Sequence, residues 1–298
     1  MNNYKNQVRL LLSVIPEVAK EKCFALHGGT AINLFVRDMP RLSVDIDLTY
    51  IPIEDRITSF TKINNALDEI KRRLNIIFPN LLVVHEKDKL KLQISNKDAL
   101  IKIEVNQGIR GLIGDTSALV LCDKAQEDFD AFCSIQGVSF GQLYGGKIVA
   151  ALDRQHPRDL FDVKDLLENE GFTEEIKVGF LFTLLSSKRP IKEILFPNLI
   201  NQEQAFANQF MGMTEQPFSY ADFEQTRKKL IEVVQVGLTK SDKNFIINFK
   251  NASPDWSVYY FEKFPAIQWK FQNLLALKEN NPEKHNSNLK ELESLLMG

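Results

Sequence analysis

The chain has 298 residues, enough for one large domain or two ordinary ones and for burying about three-quarters of the unfolded surface. Hydrophobic residues are 44% and charged residues 26% of it, a globular balance that excludes wholesale disorder. Lys plus Arg number 37 against 39 Asp plus Glu, a formal net charge of −2; this excludes a generic polyanion binder but not a local basic face for nucleic acid.

The first 20 residues space Val8, Leu11, Leu12, Ile15 and Val18 as an amphipathic helix over 5–20 rather than a secretory signal. Next come a short strand over Phe24–His27, a turn at Gly28 and Gly29, and a helix over 30–37 capped by Thr30. Strict alternation makes 42–50 a strand, and 56–75 has the spacing of an amphipathic helix. Strand-like runs follow at 81–86, 89–95, 100–106 and 118–122. Two helices, 142–155 and 158–170, are broken at Pro157. The remainder alternates helical stretches with polar loops, and no solenoid-type repeat stands out. No run approaches the ~20 apolar residues of a membrane span. Cys23, Cys122 and Cys133 form no CxxC pair, against both a disulfide framework and a zinc cluster. The expectation is a cytoplasmic α+β protein: an α/β domain with a mixed sheet over 1–138, then a mainly helical domain over 139–298.

The richest segment is RLSVDIDLTY, residues 41–50. Ser43, Asp45 and Asp47 share one face of the strand, Val44, Ile46 and Leu48 the other, and carboxylates two residues apart lie ~7 Å apart at the Cα level. Neighbouring negative charges raise each other's pKa unless a cation sits between them, and hard oxygen ligands suit Mg²⁺ or Mn²⁺. Taken alone, a wetted strand edge explains the alternation equally well. The upstream Gly-Gly helix opening, a ready anion site, favours phosphate plus metal, hence nucleotide chemistry. Glu104, a lone acid in LIKIEVN, would complete the metal set if its strand lies beside Asp45 and Asp47; an exposed outer-strand position fits it as well. Lys147 and Asp162 come together only if Pro157 lets the second helix fold back, and Asp159 reads as an ordinary first-turn acid favouring the helix dipole.

GGT opening a helix, DID on a strand and a later strand acid together resemble the polymerase-beta-type nucleotidyltransferase superfamily. More closely, the chain resembles the AbiEii/AbiGii toxin family, which includes the MenT toxins. The likeness lies in LHGGTAINLF and RLSVDIDLTY within 26–50, and in GGKIVAALDRQHPRDLFDVKDLL at 145–167. It continues in LTKSDKNFIINFKNASPDW at 238–256 and FPAIQWKFQNLLAL at 264–277, and is weakest over 171–235. The resemblance implies a metal-dependent nucleotidyltransferase with catalytic residues Asp45, Asp47, Glu104, Lys147 and Asp162. Asp45, Asp47 and Glu104 would hold Mg²⁺ or Mn²⁺, and Gly28, Gly29, Thr30, Ser43 and Arg158 would bind the NTP. Lys147 would neutralise the triphosphate, and Asp162 would orient that lysine or a substrate hydroxyl. It further implies the 3′ end of tRNA as acceptor, blocked translation, and a neutralising antitoxin as partner. Transfer to a protein or small molecule, and a binding module without turnover, are the alternatives.

GQLYGGKI at 141–148 fits a phosphate-binding loop except at Ile148, where an aliphatic side chain replaces the Ser or Thr that holds Mg²⁺. His27 reads as structural and His156 as an isolated histidine without a metal-ligand partner. The basic residues of KIVAALDR and TRKKL read as solvated faces. Trp256, Tyr259, Tyr260, Phe261 and Trp269 read as core of a helical region, with base stacking as the other option.

Overall fold

The computed structural model describes residues 2–298. The architecture is α+β. Among the described residues one mixed seven-stranded sheet forms, with the order β3-β4-β5-β2-β1-β7-β6, and the C-terminal half is helical. Helix α1 (Asn2–Val18) precedes β1 (Phe24–His27), and α2 (Gly28–Ala31) runs into a π-turn over Ile32–Val36. Strand β2 (Asp45–Tyr50) leads to α3 (Arg56–Ile77), then β3 (Leu82–Glu86), β4 (Lys91–Ser95), β5 (Leu100–Arg110) and β6 (Ser117–Val120). Helix α4 (Asp123–Phe129) and β7 (Ser134–Gly137) complete the sheet region. Strand β1 pairs antiparallel with β2 and parallel with β7, and β2 pairs parallel with β5.

Three sequence expectations are corrected here. The strand expected at 42–50 joins the ladder only from Asp45. Its upstream residues are instead tied to a distant segment, Leu42 N–H donating to the Met213 carbonyl (2.7 Å) and Arg41 bridging Thr214. The helix expected at 30–37 starts at Gly28 itself, so Thr30 is not its cap; the buried Thr30 hydroxyl donates to the Asp45 carbonyl and lies 3.0 Å from Ser43 Oγ. Strand β7 and helix α4 were not expected at all, being only four and seven residues long.

The helical half begins with α5 (Phe140–Arg154), capped by the Ser139 hydroxyl, and α6 (Pro157–Asn169). The reversal between them has a local cause. Gln155 takes left-handed φ (49°), His156 caps α6 by accepting from Arg158 N–H (3.2 Å), and Pro157 occupies the first turn, where its missing N–H costs nothing. Asp159 and Asp162 therefore return toward Lys147, as the fold-back expectation required. Helix α7 (Glu174–Ser186) lies against α5 through glycines. A Cβ at Gly145 would collide with the backbone of Gly179 and Phe180, and one at Gly179 with the backbone of Gly141 and Gln142. Gly141 and Gly145 of GQLYGGK thus serve backbone-to-backbone helix contact inside a helix, not a phosphate loop.

Short helices α8 (Ile191–Leu195) and α9 (Glu203–Gln209) precede α10 (Tyr220–Gly237), α11 (Lys240–Lys250), α12 (Pro265–Asn280) and α13 (Pro282–Met297). The LTKSDKNF segment is structural: Thr239 and Asp242 form a capping box, and buried Asp242 also takes Lys177 (3.0 Å) and the Tyr259 hydroxyl (2.6 Å). Trp256 packs on Phe245, Phe249 and Phe271 as expected of core, while Trp269 is 55% exposed.

The glycine contact gives two predictions of opposite sign. Gly179→Ala should destabilise by about 1–3 kcal/mol in chemical denaturation, because backbone must move to admit the methyl. Gly146→Ala, whose Cβ would meet only Thr183 Oγ1 at 3.8 Å, should be neutral or stabilising by up to ~1 kcal/mol from helix propensity.

Candidate active site

The pairing register sets three side chains at one level of the sheet: His27 on β1 opposite Asp47 on β2, and Asp47 opposite Glu104 on β5. Above them opens a cleft of about 460 Å³ lined by Ser43, Asp45 and Asp47 from the carboxylate strand and by Gly28 and Gly29. The glycines are required by close approach. Gly28 has φ +76°, and a Cβ there would strike the Asp47 carboxylate. A Cβ at Gly29 would lie 2.9 Å from Arg41 Nη2 and 3.0 Å from Ser43 Oγ.

Burial raises the Asp47 pKa to about 6, Lys147 opposing and Glu104 adding to the effect. Burial, then Asp47, likewise pushes Asp45 upward. Two partly desolvated carboxylates on one strand face, each disfavouring the other's charge, form a hard-oxygen donor set suited to a divalent cation. The third expected ligand is not with them. Glu104 lines the cleft, but its carboxylate pairs with Lys91 across the β4–β5 ladder (2.6 Å). Among the described residues no group of three or more His, Cys, Asp or Glu is arranged to hold an ion. Glu104 thus stands at the expected level beside Asp47, with its carboxylate turned to the neighbouring-strand lysine rather than closed on the two aspartates.

Beside the carboxylates runs a chain of five charged side chains. Arg41 grips Asp162 with both arms of its fork, Nε to Oδ1 (2.7 Å) and Nη2 to Oδ2 (2.6 Å). Lys147 Nζ bonds Asp162 Oδ2 (2.9 Å) and Asp159 Oδ1 (3.0 Å), and Arg154 closes the chain on Asp159 (2.5 and 3.0 Å). Asn33 in the π-turn donates to both the Gly29 carbonyl (2.9 Å) and Asp162 Oδ1 (3.0 Å). Burial works against Asp162's charge, but Arg41 and Lys147 outweigh it and depress its pKa. Burial likewise opposes the charge of Asp159, and Lys147 and Arg154 outweigh it and depress its pKa. Burial also opposes the charge of Lys147, yet Asp162 and Asp159 hold its pKa above that of an ordinary lysine. Three cations against two carboxylates leave this wall positive. Burial and then the Lys147 charge lower His27 to about 4, so it is neutral at pH 7; it bonds Thr49 through Nδ1 (3.0 Å).

Lys147, Arg158, Asp159 and Arg154 line the cleft together with the carboxylates. Two expected residues do not line it. The Asp162 side chain is wholly buried behind Arg41 and Lys147, and Thr30 is a scaffold residue under Ser43 and Asp45. Asp162 is therefore in contact with Lys147 and does not face the cleft. Asp159, which reads in the sequence as a helix-dipole acid, is a full member of the cluster. Arg41, Asn33 and Arg154 went unrecognised. The only sequence hint for Arg41 was its place directly before the carboxylate strand.

A mixed sheet carrying paired aspartates beside a Gly-Gly helix opening defines a nucleotidyltransferase-type protein. A family model for the nucleotidyl transferase AbiEii toxin of type IV toxin–antitoxin systems matches residues 9–275. The chain belongs to this toxin family. Among solved structures it is similar to MenT4, a nucleotidyltransferase toxin from Mycobacterium tuberculosis H37Rv. That likeness has a TM-score of 0.63 at 11% identity, over 99% of this chain and 93% of the other; it is a likeness of fold. No curated protein sequence matches the chain. Among the described residues no helix is long and apolar enough to cross a membrane.

Two stability predictions follow from the charges. Asp162→Ala strands Arg41 and Lys147 and should cost about 3–5 kcal/mol near neutral pH. Because the folded pKa of Asp162 is depressed, its contribution is present above the unfolded aspartate value of ~3.9 and lost as pH falls below it; the gap between wild type and variant should narrow there. Asp47 has the opposite sign. With its folded pKa raised to about 6, its penalty is absent below pH ~4, grows as pH rises, and is complete above ~6. Asp47→Asn should therefore stabilise by on the order of 1–3 kcal/mol at pH 8 and by nothing below pH 4. Added Mg²⁺ should raise the melting temperature of wild type but not of this variant.

Proposed function

We propose that this toxin is a metal-dependent nucleotidyltransferase that moves NMP from an NTP to an RNA acceptor, the 3′ end of tRNA, and so blocks translation. The observation that carries the reading is the juxtaposition of Asp45 and Asp47, high in proton affinity, with a positive wall across one cleft. Asp45 and Asp47 would hold a divalent cation, with Glu104 available if it leaves Lys91; when bound, that ion supplies charge neutralisation and lowers the pKa of an attacking hydroxyl. Backbone amides of Gly28 and Gly29, at the start of a helix where they have no carbonyl partner one turn back, would bind phosphate oxygens. Ser43 would donate its hydroxyl to the nucleotide, and Arg158 its guanidinium to a phosphate.

Lys147 enters the reading differently from a mobile clamp. Held by Asp159 and Asp162, it contributes a fixed positive field to charge building on the leaving pyrophosphate, at no reorganisation cost. The 3′ oxygen of the acceptor would bond to the α-phosphorus while the bond to the pyrophosphate oxygen breaks. Residues 1–138 would form the catalytic domain, and 139–298 the helical domain that supplies Lys147 and contacts acceptor. A cognate antitoxin would neutralise the activity.

The test is incubation with Mg²⁺, each labelled NTP in turn and total bacterial tRNA, with Asp47→Ala alongside. Label should enter the tRNA band with wild type and not with the variant. Label in protein or small-molecule fractions would replace the acceptor while keeping the metal site. Absence of transfer to every acceptor would leave a binding module without turnover.

A further inference from the structure

A second concavity, a groove of about 760 Å³, lies between the start of α3, the end of β5 and the start of α12. Four of its lining residues are basic: Arg56, Arg110, Lys188 and Lys263. Among the described residues none of the four makes a salt bridge. The two acids in the lining are already used, Glu54 by Lys62 and the Tyr50 hydroxyl and Asp55 as the cap that accepts from Thr58 N–H. Arg110 is the informative residue. It is 95% withdrawn from solvent by a relative exposure of 5%, its Nε has no hydrogen-bond partner, and its one recorded side-chain bond is a long 3.5 Å contact to the Gln107 carbonyl. Burial, then Arg56 nearby, works against its charge, and Asp55 offsets this only in part and without an ion pair. A buried guanidinium with no anion is costly, and a groove wall is where an external anion can relieve it.

The same groove receives the first turns of two long helices, α3 with 22 residues and α12 with 16. The N-cap of α12, Phe264, has no side-chain oxygen to offer its amides. The positive end of α12 therefore adds to the four side chains, while that of α3 is already met by the Asp55 carboxylate. Trp269, 55% exposed, also lines the groove, whereas Trp256 is packed among phenylalanines. A basic groove with an exposed aromatic face is the pattern by which proteins hold single-stranded nucleic acid.

Position links the groove to the active cleft. Along β5, Glu104, Asn106 and Ile109 line the cleft while Gln107, Gly108 and Arg110 line the groove; along α7, Thr183 lines the cleft and Ser186 the groove. β5 bulges between them, and their partners on β2, Asp47 and Tyr50, are three residues apart, so Glu104 and Arg110 lie about 10 Å apart along the sheet, a span of one or two nucleotides. We infer that this groove is the acceptor track: it binds the phosphates of a single-stranded RNA end on Arg56, Arg110, Lys188 and Lys263, stacks a base on Trp269, and delivers the terminal nucleotide to the cleft. This rests on the RNA-acceptor reading above.

The experiment uses the full chain and fluorescently labelled bulk bacterial tRNA, with binding followed across a salt series and transfer kinetics measured for RNA and NTP separately. Lys188→Glu/Lys263→Glu, both exposed positions, should weaken tRNA binding about tenfold or more and reduce the salt slope by about two. It should raise KM for RNA while leaving KM for NTP and the melting temperature unchanged. RNA should quench the fluorescence of Trp256→Phe, in which Trp269 is the remaining tryptophan. If wild type binds and labels tRNA and the groove variant does so equally well, the track is wrong and the RNA reading stands. If wild type labels a protein or small molecule and does not bind tRNA, the RNA reading fails and the track with it. Asp47→Ala separates the two steps, since it should still bind tRNA while transferring nothing.

Discussion

The Asp162 carboxylate is the point on which the site depends. It is wholly buried and engaged by Arg41 and Lys147 together, with Asn33 behind. Those three partners come from the segment before β2, from α5 and from the π-turn after β1, so one side chain fixes the mutual position of elements far apart in sequence. Such an ion cluster contributes little net stability relative to apolar packing. What it provides is geometry. With Asp162 charged and forked by Arg41, the segment carrying Ser43 and Asp45 has one position over the sheet, and Lys147 has one direction in which to present its charge.

Close backbone approach is the second constraint, and glycine meets it twice. At Gly28 and Gly29 the absent Cβ lets Asp47 and Arg41 lie on the helix start. At Gly141, Gly145 and Gly179 it lets α5 and α7 touch through their backbones, which sets the depth at which Lys147 emerges. Both sets lie in segments that, read as sequence, suggest phosphate binding. Only the first borders the carboxylates in a way that fits it; the second is a packing device.

The legible parts of the sequence were those with a period or a stop signal. Alternation located Asp45 and Asp47 on one face, and the proline at 157 located the reversal that returns α6 to α5. The illegible parts were pairings across long sequence distance. Nothing in the local pattern distinguishes Asp159 from Asp162, since both follow Pro157 within one turn or two; their difference lies in whether Arg154 or Arg41 meets them. Glu104 likewise sits at the expected level beside Asp47, but the lysine opposite it on β4 decides where its carboxylate goes. Arg41 carried no periodic signal because the residues before Asp45 leave the ladder and are held by the segment around Met213, in the stretch where the family resemblance is weakest.

A net charge of −2 says little about how this surface meets a polyanion, because the charges are sorted rather than mixed. The cleft sets two carboxylates with raised pKa values against a wall of three cations and two acids. Neither half is neutral by itself, and the cationic half is locked by its own aspartates. A triphosphate entering without a cation would meet Asp45 and Asp47 as like charges, whereas with a divalent ion between them the same two residues become its attachment. On the proposed function, the site would couple nucleotide affinity to metal occupancy through electrostatics. The groove beyond β5 differs in kind: among the described residues its cations make no salt bridge, so an anion there would need no accompanying metal. On the proposed readings, that contrast would separate a place where phosphate is transformed from a place where it is only held.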